Sequence, residues 1–274
     1  MKTKKWIDFL LYSNLFISIC AAAITAETYL LIHSDINWLY IIFVFFSTIL
    51  LYAFPSLFFA EEAFSVNQSE RHRWIIENRN TLIGFSVISS LVLAVTVFFF
   101  PLKFILLMIP NVVLAFAYFF PQTRLRSITG LKAIIVAFVW TMVTYVYPFL
   151  LDNLSLEKSL LGALERFLFL IPICIIFNVR DVEADRIAGV RTIPVIYGVK
   201  PSIISCLISL LLFCAFVFFN RGFSAEAIAL TASAIITGIL ILKSSPEKDD
   251  YFYSFWIDGM IILQAELIIM DSLL

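Results

Sequence analysis

The chain has 274 residues, of which 62% are hydrophobic and only 14% are charged, and its mean hydropathy is +0.99. Soluble domains carry about 25% charged residues, so this composition argues against a soluble enzyme, a disordered chain or a nucleic-acid-binding protein. The formal net charge of −1 is uninformative as a total, whereas the positions of the charges along the chain are informative.

Apolar segments long enough to cross a bilayer recur along the whole chain. A membrane-spanning helix needs about 20 mostly apolar residues, and the sequence has none of the ten-residue stretches of alternating polarity that are typical of a transmembrane β-barrel. It therefore predicts an all-α polytopic membrane protein with about nine transmembrane helices, forming a single integral membrane domain over residues 1–274. The predicted spans are 6–32, 37–60, 81–100, 102–120, 131–151, 159–178, 201–219, 225–243 and 253–273.

Lysine and arginine are distributed unevenly between the two sets of surfaces that these spans separate. One set holds 15 of the 19 basic residues, and the other holds only Lys103, Lys158, Arg166 and Arg221. Because cytoplasmic loops are enriched in Lys and Arg, the first set is predicted to be cytoplasmic. The N-terminus of this plasma-membrane protein would then be inside, its C-terminus outside, and its chemistry at the cytoplasmic face. The basic surfaces are the N-terminus and residues 61–80, 121–132, 179–200 and 243–252.

The most unusual stretch is residues 177–194, where a strongly apolar segment continues directly into a segment with six charged residues. Asn178, Asp181 and Asp185 stand at i, i+3 and i+7, which places three oxygen-bearing side chains on one face of a continuing helix, with Arg180 and Glu183 pointing elsewhere. Such grouped carboxylates repel one another unless a cation lies among them, and magnesium joins one or two carboxylates to a substrate phosphate. The alternative is a solvated loop whose acids and bases neutralise one another.

A basic segment complements this acidic one on the same predicted face. Arg124, Arg126 and Lys132 follow Tyr118 and Pro121 without any intervening acidic residue. Such a cluster can hold the oxygens of a diphosphate, and arginine can do so with two parallel hydrogen bonds. The alternative is the ordinary excess of basic residues that flanks cytoplasmic helix ends.

Residues 178–194 closely resemble the second aspartate-rich motif of the UbiA-type intramembrane prenyltransferases. That motif runs D/N-x-x-D-x-x-x-D and is followed by a Gly-x-x-Thr-[IL]-Pro segment; here the residues read N-V-R-D-V-E-A-D and then G-V-R-T-I-P. Residues 118–132 resemble the family's Tyr-x-x-Pro segment with its trailing basic residues, and residues 251–259 resemble the start of its last helix. The resemblance thus extends over nearly the whole chain.

The resemblance implies a helical bundle around a central cavity in which a prenyl diphosphate and a lipophilic acceptor, aromatic or a quinone precursor, react with the help of magnesium. It also implies that Asp258 faces this cavity. Asp181, Asp185 and Asn178 would be the catalytic residues and metal ligands. The diphosphate would be bound by Tyr118, Arg124, Arg126, Lys132 and Arg191.

The first aspartate-rich motif of that family, expected near residues 53–61, is degenerate in this chain. The segment reads A-F-P-S-L-F-F-A-E, so Glu61 and the adjoining Glu62 are the remaining candidates for further metal ligands there. This loss leaves open a second function, a UbiA-like membrane protein that binds lipid or a partner without prenyl transfer. A third alternative is a transporter, although the sequence shows no convincing internal repeat.

Overall fold

The computed structural model of the chain describes residues 2–58, 70–119 and 128–273, and within these ranges all regular structure is helical. We number the α-helices in chain order. They are α1 (Lys2–Tyr12), α2 (Leu15–Leu31), α3 (Trp38–Phe58), α4 (Glu70–Glu77), α5 (Arg79–Thr96), α6 (Leu102–Phe119), α7 (Leu131–Thr141), α8 (Tyr147–Leu151), α9 (Leu156–Arg180), α10 (Val182–Ile187), α11 (Ile193–Tyr197), α12 (Val199–Arg221), α13 (Ala225–Leu242) and α14 (Asp258–Ser272).

The predicted all-α membrane architecture is confirmed, with a smaller number of full spans. Seven helices in the described ranges are long and apolar enough to cross a membrane, and an eighth span results if the bent pair α1 and α2 is counted as one. The predicted span 102–120 corresponds to α6, whose apolar part, Leu102–Tyr118, is shorter than the seven full spans. The predicted count of nine is therefore approximate, although the described residues of each predicted segment are largely helical.

The first predicted span, 6–32, is broken at Asn14. Helices α1 and α2 meet there at an angle of 61°. Asn14 has φ 69° and ψ 8°, the left-handed conformation that asparagine tolerates better than most residues. Its carbonyl accepts a hydrogen bond from Ser18 Oγ at 2.8 Å, which fixes the first turn of α2. A continuous apolar composition thus conceals a sharp bend.

The membrane-length helices form a ring that follows the order of the chain. Each packs against its neighbour in the series α2, α3, α6, α7, α9, α12, α13, α14, and the ring closes where α14 packs against α2. Helix α5 lies outside this ring against α3. Its outward side chains are apolar, with Leu91 and Val95 both more than half exposed, as expected of a surface that faces lipid rather than water.

Two spans contain a short π-helical segment, Met142–Val146 after α7 and Phe252–Ile257 before α14. A π-helical turn inserts an extra residue into the helix, and such insertions are frequent at functional sites. The second segment leads directly into Asp258, so it sets the direction in which the first side chain of α14 projects.

A buried ion pair joins helices on the side of the ring remote from the C-terminal end of α9. Glu27 on α2 is fully buried, and its Oε2 lies 3.4 Å from Arg166 Nη2 on α9. Gln264 Nε2 on α14 donates to Glu27 Oε1 at 3.0 Å. Arg166 is 14 residues from Arg180, or about 20 Å along the helix at 1.5 Å per residue, so this polar cluster is distant from the charged end of α9.

Candidate active site

The ring encloses a cavity of about 310 Å³ that is polar at one end and apolar in its interior. The polar end is formed by the C-terminal end of α9 and the start of α7, and the apolar walls come from α3, α6, α7 and α9. Its charged and amide-bearing wall residues are Asn14, Arg71, Lys132, Asn178, Arg180, Asp181 and Asp258.

Lys132 joins the two aspartates of the acidic segment at the polar end of this cavity. Its Nζ donates to both carboxylate oxygens of Asp185 at 2.9 Å and lies 3.9 Å from Asp181 Oδ2. The predicted proximity of the basic segment to the acidic one therefore holds for Lys132. Asp181 and Asp185 thus lie close enough to contact the same cation. Their carboxylate oxygens form a paired donor set, as the spacing of the two residues indicated.

Arg180 belongs to the same cluster, although the helical spacing predicted that it points elsewhere. Its Nε and Nη2 donate to the two carboxylate oxygens of Asp181 at 2.7 and 3.1 Å, and its guanidinium lies 4.9 Å from the centre of the Phe177 ring. Burial opposes ionisation of Asp181, but Arg180 and Lys132 outweigh it and hold the pKa of Asp181 well below its usual range. Asp181 is therefore a carboxylate at neutral pH.

The backbone explains why Arg180 was misplaced. Helix α9 ends at Arg180 instead of continuing, because Asp181 leaves helical geometry at φ −89° and ψ 8° before α10 begins at Val182. Asp185 N–H donates to the Asp181 carbonyl at 2.8 Å, so the break is tight and the two aspartates remain neighbours. The prediction of one continuing helix is wrong, while the predicted grouping of its acidic side chains is retained.

The other predicted site residues lie at different places. Asn178 is buried and lines the cavity, and its Nδ2 has no hydrogen-bond partner within the described residues. Tyr118 is buried and also lines the cavity. Arg191 has an exposed side chain, and its carbonyl accepts from Gly130 N–H at 3.3 Å. The predicted residues that lie outside the described ranges are Glu61, Glu62, Arg124 and Arg126.

The cavity wall includes two polar residues that the sequence did not point to. Arg71, on α4, counted only as one of the flanking basic residues, and Asn14 lay within an apolar segment. Asn14 could have been noticed as an isolated amide within a predicted span. Arg71 could not have been identified from the sequence, because its position depends on how α4 packs against the bundle. Asp258 faces the cavity, as the resemblance implied.

A second cavity of about 270 Å³ adjoins the first and is lined by uncharged residues. The hydroxyls of Thr48 and Thr144 in its wall are satisfied by carbonyls of their own helices, at 2.8 Å in each case, so the surface it offers is mainly apolar. The two cavities share the wall residues Leu51, Tyr52, Ala115, Val139 and Trp140.

This arrangement of helices has counterparts among known proteins. The sequence model described as the UbiA prenyltransferase family matches residues 70–258, which is most of the chain. The chain belongs to the UbiA prenyltransferase family. The resemblance read from the aspartate-rich segment is thereby confirmed at the level of the family.

Solved structures of UbiA-type proteins share the fold. The apo structure of a UbiA homologue from Aeropyrum pernix K1 aligns with a TM-score of 0.60 at 14% identity, covering 98% of this chain and 99% of that one. A structure described under the biosynthesis of digeranylgeranylglyceryl phosphate synthase in membranes aligns with a TM-score of 0.59 at 17% identity, covering 99% and 100%. Comparison with curated protein sequences finds no match.

Members of the UbiA family generally use magnesium, and the donor set here suits one such ion. Among the described residues no group of three or more His, Cys, Asp and Glu side chains is close enough to hold a metal. Asp181 and Asp185 nevertheless form a pair that already takes one cation, the Lys132 ammonium. Magnesium is commonly bound by one or two carboxylates together with substrate phosphates and water, and these two aspartates fit that pattern.

Proposed function

We propose that this UbiA-family protein transfers an isoprenyl group from a prenyl diphosphate to a lipophilic acceptor within the membrane. The observation that carries this proposal is the pair of adjoining cavities. One has a charged end with Lys132, Arg180 and Asp181, and the other is uncharged and mainly apolar. A ligand that fits both must have an anionic head and a long apolar tail.

The basic residues at the charged end suit the leaving group of such a reaction. When the bond between the prenyl carbon and the diphosphate breaks, the electron pair stays with the diphosphate and its negative charge grows. Arg71, Lys132 and Arg180 provide preorganised cations in a largely apolar cavity, where such charges act more strongly than in water. Together with Arg124 and Arg126, they are proposed to hold the diphosphate.

Magnesium, held by Asp181 and Asp185 with Asn178 beside them, would neutralise further charge on the diphosphate oxygens. Glu61 and Glu62 remain candidates for additional ligands. Asp181 is kept ionised by Arg180, so it needs no deprotonation before it binds a cation. The role of the ion pairs within the protein is to hold both carboxylates in place at the mouth of the cavity.

Aromatic side chains suit the carbocation-like centre that loss of diphosphate produces. Tyr52, Trp140 and Phe177 line the cavity between its charged end and the apolar extension, and the faces of aromatic rings attract cations. Trp140 Nε1 donates to Tyr52 Oη at 3.2 Å, which holds these two rings in a fixed relation. The apolar walls also exclude water, which would otherwise capture the carbocation.

The orientation predicted from the basic loops completes the proposal. With 15 of the 19 basic residues on the proposed cytoplasmic side, the charged end of the cavity opens toward the cytoplasm, from which a water-soluble diphosphate head can enter. The N-terminus is then cytoplasmic in a multi-pass plasma-membrane protein.

A thermal-shift series on the detergent-solubilised protein tests this function. The probes are prenyl diphosphates from C10 to C20, each with and without magnesium. A ligand at 100 times its Kd adds about 2.7 kcal/mol to the free energy of unfolding, and we expect the stabilisation to grow with tail length as the second cavity fills. If no diphosphate stabilises the protein, the proposal is wrong.

Two variants and a control complete this test. Asp181→Asn and Asp185→Asn should each abolish prenyl transfer and the magnesium-dependent part of the stabilisation. Glu183→Gln is the matched control, because Glu183 lies in the same segment but its exposed side chain pairs with Arg186 at 2.7 Å. Full activity of both aspartate variants would contradict the proposal.

One observation favours a second candidate, a lipid-binding protein without transferase activity. Both aspartates of the acidic segment are engaged by basic side chains, Asp181 by Arg180 and Asp185 by Lys132. Because basic side chains already neutralise both carboxylates, the site can bind an anionic lipid without a metal. The positive charge that remains for this is Arg71 in the cavity wall. Magnesium-independent stabilisation by prenyl diphosphates, with no release of diphosphate in the presence of acceptors, would favour this candidate over the transferase.

A further inference from the structure

Three helices of the ring line both cavities, and their lining residues follow one direction from the charged end to the apolar end. On the span that contains α7, residues 132–140 line the first cavity and residues 139–144 line the second. The lining residues of α3 and α6 change from one cavity to the other in the same direction. The second cavity is therefore the inner extension of the first. Its lining residues farthest from the charged end on these three spans are Phe43, Met108 and Thr144.

An aromatic cluster lies behind the far end of this extension. The Phe43 ring stacks on the Tyr40 ring with centroids 6.1 Å apart, and it meets the Phe100 ring edge to face at 5.4 Å. Phe104 contacts both Phe100 and Tyr40, with ring centroids 5.5 and 6.0 Å apart. Tyr40, Phe100 and Phe104 are buried and line neither cavity. A ligand tail that reached Phe43 would therefore have to displace packed rings to extend further in this direction.

The π-helical segment Met142–Val146 forms another part of the same end. Val143 and Thr144 line the second cavity from this segment. Their carbonyls accept hydrogen bonds from side chains of other helices. Tyr40 Oη donates to the Val143 carbonyl at 2.7 Å, and Thr28 Oγ1 donates to the Thr144 carbonyl at 2.6 Å. Two side chains that do not line this cavity thus hold the π-helical segment in place.

Thr28 also connects this end of the cavity to the buried ion pair. Its hydroxyl has one proton to donate, and its contact with the Thr144 carbonyl at 2.6 Å is shorter than that with the Ile24 carbonyl at 3.2 Å. Arg166 Nη2 donates to the same hydroxyl oxygen at 3.2 Å. Both Thr28 and Tyr40 are almost completely buried. Buried polar groups whose hydrogen bonds are made rigidify the structure around them, so this end of the cavity is a fixed wall.

We propose that this end wall is a length stop for the prenyl tail, with Val143 contacting the last isoprene unit and with Thr28 and Tyr40 as positioning residues. This inference rests on the prenyl-transfer function proposed above. Thr28 and Tyr40 act through the π-helical segment and do not touch the tail. The wall limits the tails that the protein accepts, instead of letting the end of the tail pass out of the bundle into the surrounding lipid.

The distance between the charged end and the wall sets the limit. From Lys132 to Thr144 the span extends roughly 18 Å at 1.5 Å per residue, which is close to the length of an extended C20 tail. A longer tail would have to push the wall outward, and forcing extra methylenes into a packed region is unfavourable. C20 is therefore the longest tail that binds without displacing the wall.

The test measures the affinity of the full-length protein in detergent, with magnesium, for all-trans prenyl diphosphates of C10, C15, C20, C30 and C40. Dissociation constants are obtained from thermal-shift titrations. We expect the affinity to rise from C10 to C20 and to fall at least tenfold from C20 to C30. An affinity for C30 and C40 that equals or exceeds that for C20 would overturn the inference, because the tail would then leave the bundle.

Two substitutions move the wall itself. Val143→Phe shortens the extension, so it should weaken C20 binding at least tenfold. Its affinity for C10 should stay within threefold of the wild type, which also shows that it is folded. Val143→Ala lengthens the extension and should bring the affinity for C30 to within threefold of that for C20. If neither variant changes the length preference, Val143 does not contact the end of the tail and the inference is wrong.

Three further variants test the positioning residues. Thr28→Val keeps the shape of the side chain but loses the hydroxyl, and Tyr40→Phe loses the other hydrogen bond. Each should reduce the preference for C20 over C30 to less than threefold, whereas Thr28→Ser keeps the hydroxyl and should retain the tenfold preference. A merely structural role would weaken binding of all lengths equally. Retention of the tenfold preference in both Thr28→Val and Tyr40→Phe would overturn the positioning role.

Thr25→Val is the matched control for these variants. Thr25 is fully buried on the same helix as Thr28, but its hydroxyl donates to the Ala21 carbonyl of that helix at 2.6 Å. Its loss removes a buried hydroxyl without releasing the π-helical segment, so the length preference should be that of the wild type. A change in preference as large as that of Thr28→Val would contradict the proposed connection through the Thr144 carbonyl.

The outcomes distinguish this inference from the function on which it rests. If the wild-type protein binds C30 as tightly as C20, there is no length stop, and the prenyl-transfer proposal survives. If it binds no prenyl diphosphate of any length, both proposals fail.

Discussion

Removal of Glu27 tests whether the buried ion pair between α2 and α9 stabilises the bundle. Both partners are almost completely buried, with Glu27 0% and Arg166 2% exposed. At their separation of 3.4 Å, the Coulomb attraction is about 5 kcal/mol for an effective dielectric constant of about 20. Much of this gain is offset by the cost of taking both charges out of water, so the net value of the pair is small.

Removing one partner of the pair costs more stability than replacing both partners with apolar residues. In Glu27→Ala the hydrogen bonds that the Arg166 guanidinium keeps with described residues go to neutral groups, the Ile24 carbonyl at 2.8 Å and Thr28 Oγ1 at 3.2 Å, and its charge remains buried. Such an uncompensated charge typically costs about 3–5 kcal/mol. At roughly 2–4 °C per kcal/mol, the thermal midpoint in detergent should fall by about 10 °C.

Thermal melts of two further variants test whether the unpaired Arg166 charge causes this loss of stability. The double variant Glu27→Leu/Arg166→Leu removes both charges and should recover most of the lost stability. Glu70→Ala is the surface control, because Glu70 and Lys4 form an ion pair at 3.0 Å with side chains 65% and 58% exposed, and such exposed pairs contribute little to stability. If Glu27→Ala melts within about 2 °C of the wild type, or the double variant melts as low as the single one, the reasoning is wrong.

Two more predictions concern packing and pH. Gly162→Ala should lower the free energy of unfolding by about 1–3 kcal/mol through overpacking, because the added Cβ would overlap the Tyr145 ring. Gly84→Ala meets open space instead, so it should stabilise α5 by up to about 1 kcal/mol in the same melts. Burial, followed by the nearby Arg71 charge, lowers the pKa of His72 to about 4, so the unfolded chain binds this proton more readily between pH 6.5 and 4. Stability should therefore be full above pH 6.5 and fall as the pH drops through that window. His72→Gln should reduce this fall.

Two results would contradict the predictions for Gly162 and His72. A Gly162→Ala variant as stable as the wild type would show that Tyr145 moves aside at no cost. An identical acid-dependent loss of stability in the His72→Gln variant would assign that loss to other groups.

Much of the fold was accessible from composition alone, because a helix that faces lipid must be apolar along its whole length. The described residues of each predicted segment are accordingly largely helical. The bend at Asn14 was not accessible, since the residues on both sides of it are as apolar as those of a straight span.

The candidate site was predictable where its residues are close in sequence. Asp181 and Asp185 are four residues apart, so any helical conformation or tight turn brings them together, and the family motif marks them. Arg180 was assigned to the wrong face because its direction depends on a single backbone break at Asp181. Asn14, Arg71 and Asp258 meet at the cavity from widely separated positions, and contacts of that kind depend on the tertiary packing of the ring.

Closure of the ring has a consequence for biogenesis. Helices that leave the ribosome in order can pair with their predecessors one after another, but the contact of α14 with α2 waits for nearly the whole chain to be synthesised. Until then Asp258 cannot join Asn14, and Glu27 lacks the hydrogen bond from Gln264. The earlier spans therefore remain in the membrane with an incomplete cavity until α14 is inserted. Packing of α14 against α2 is then the step that closes the ring and completes the cavity wall.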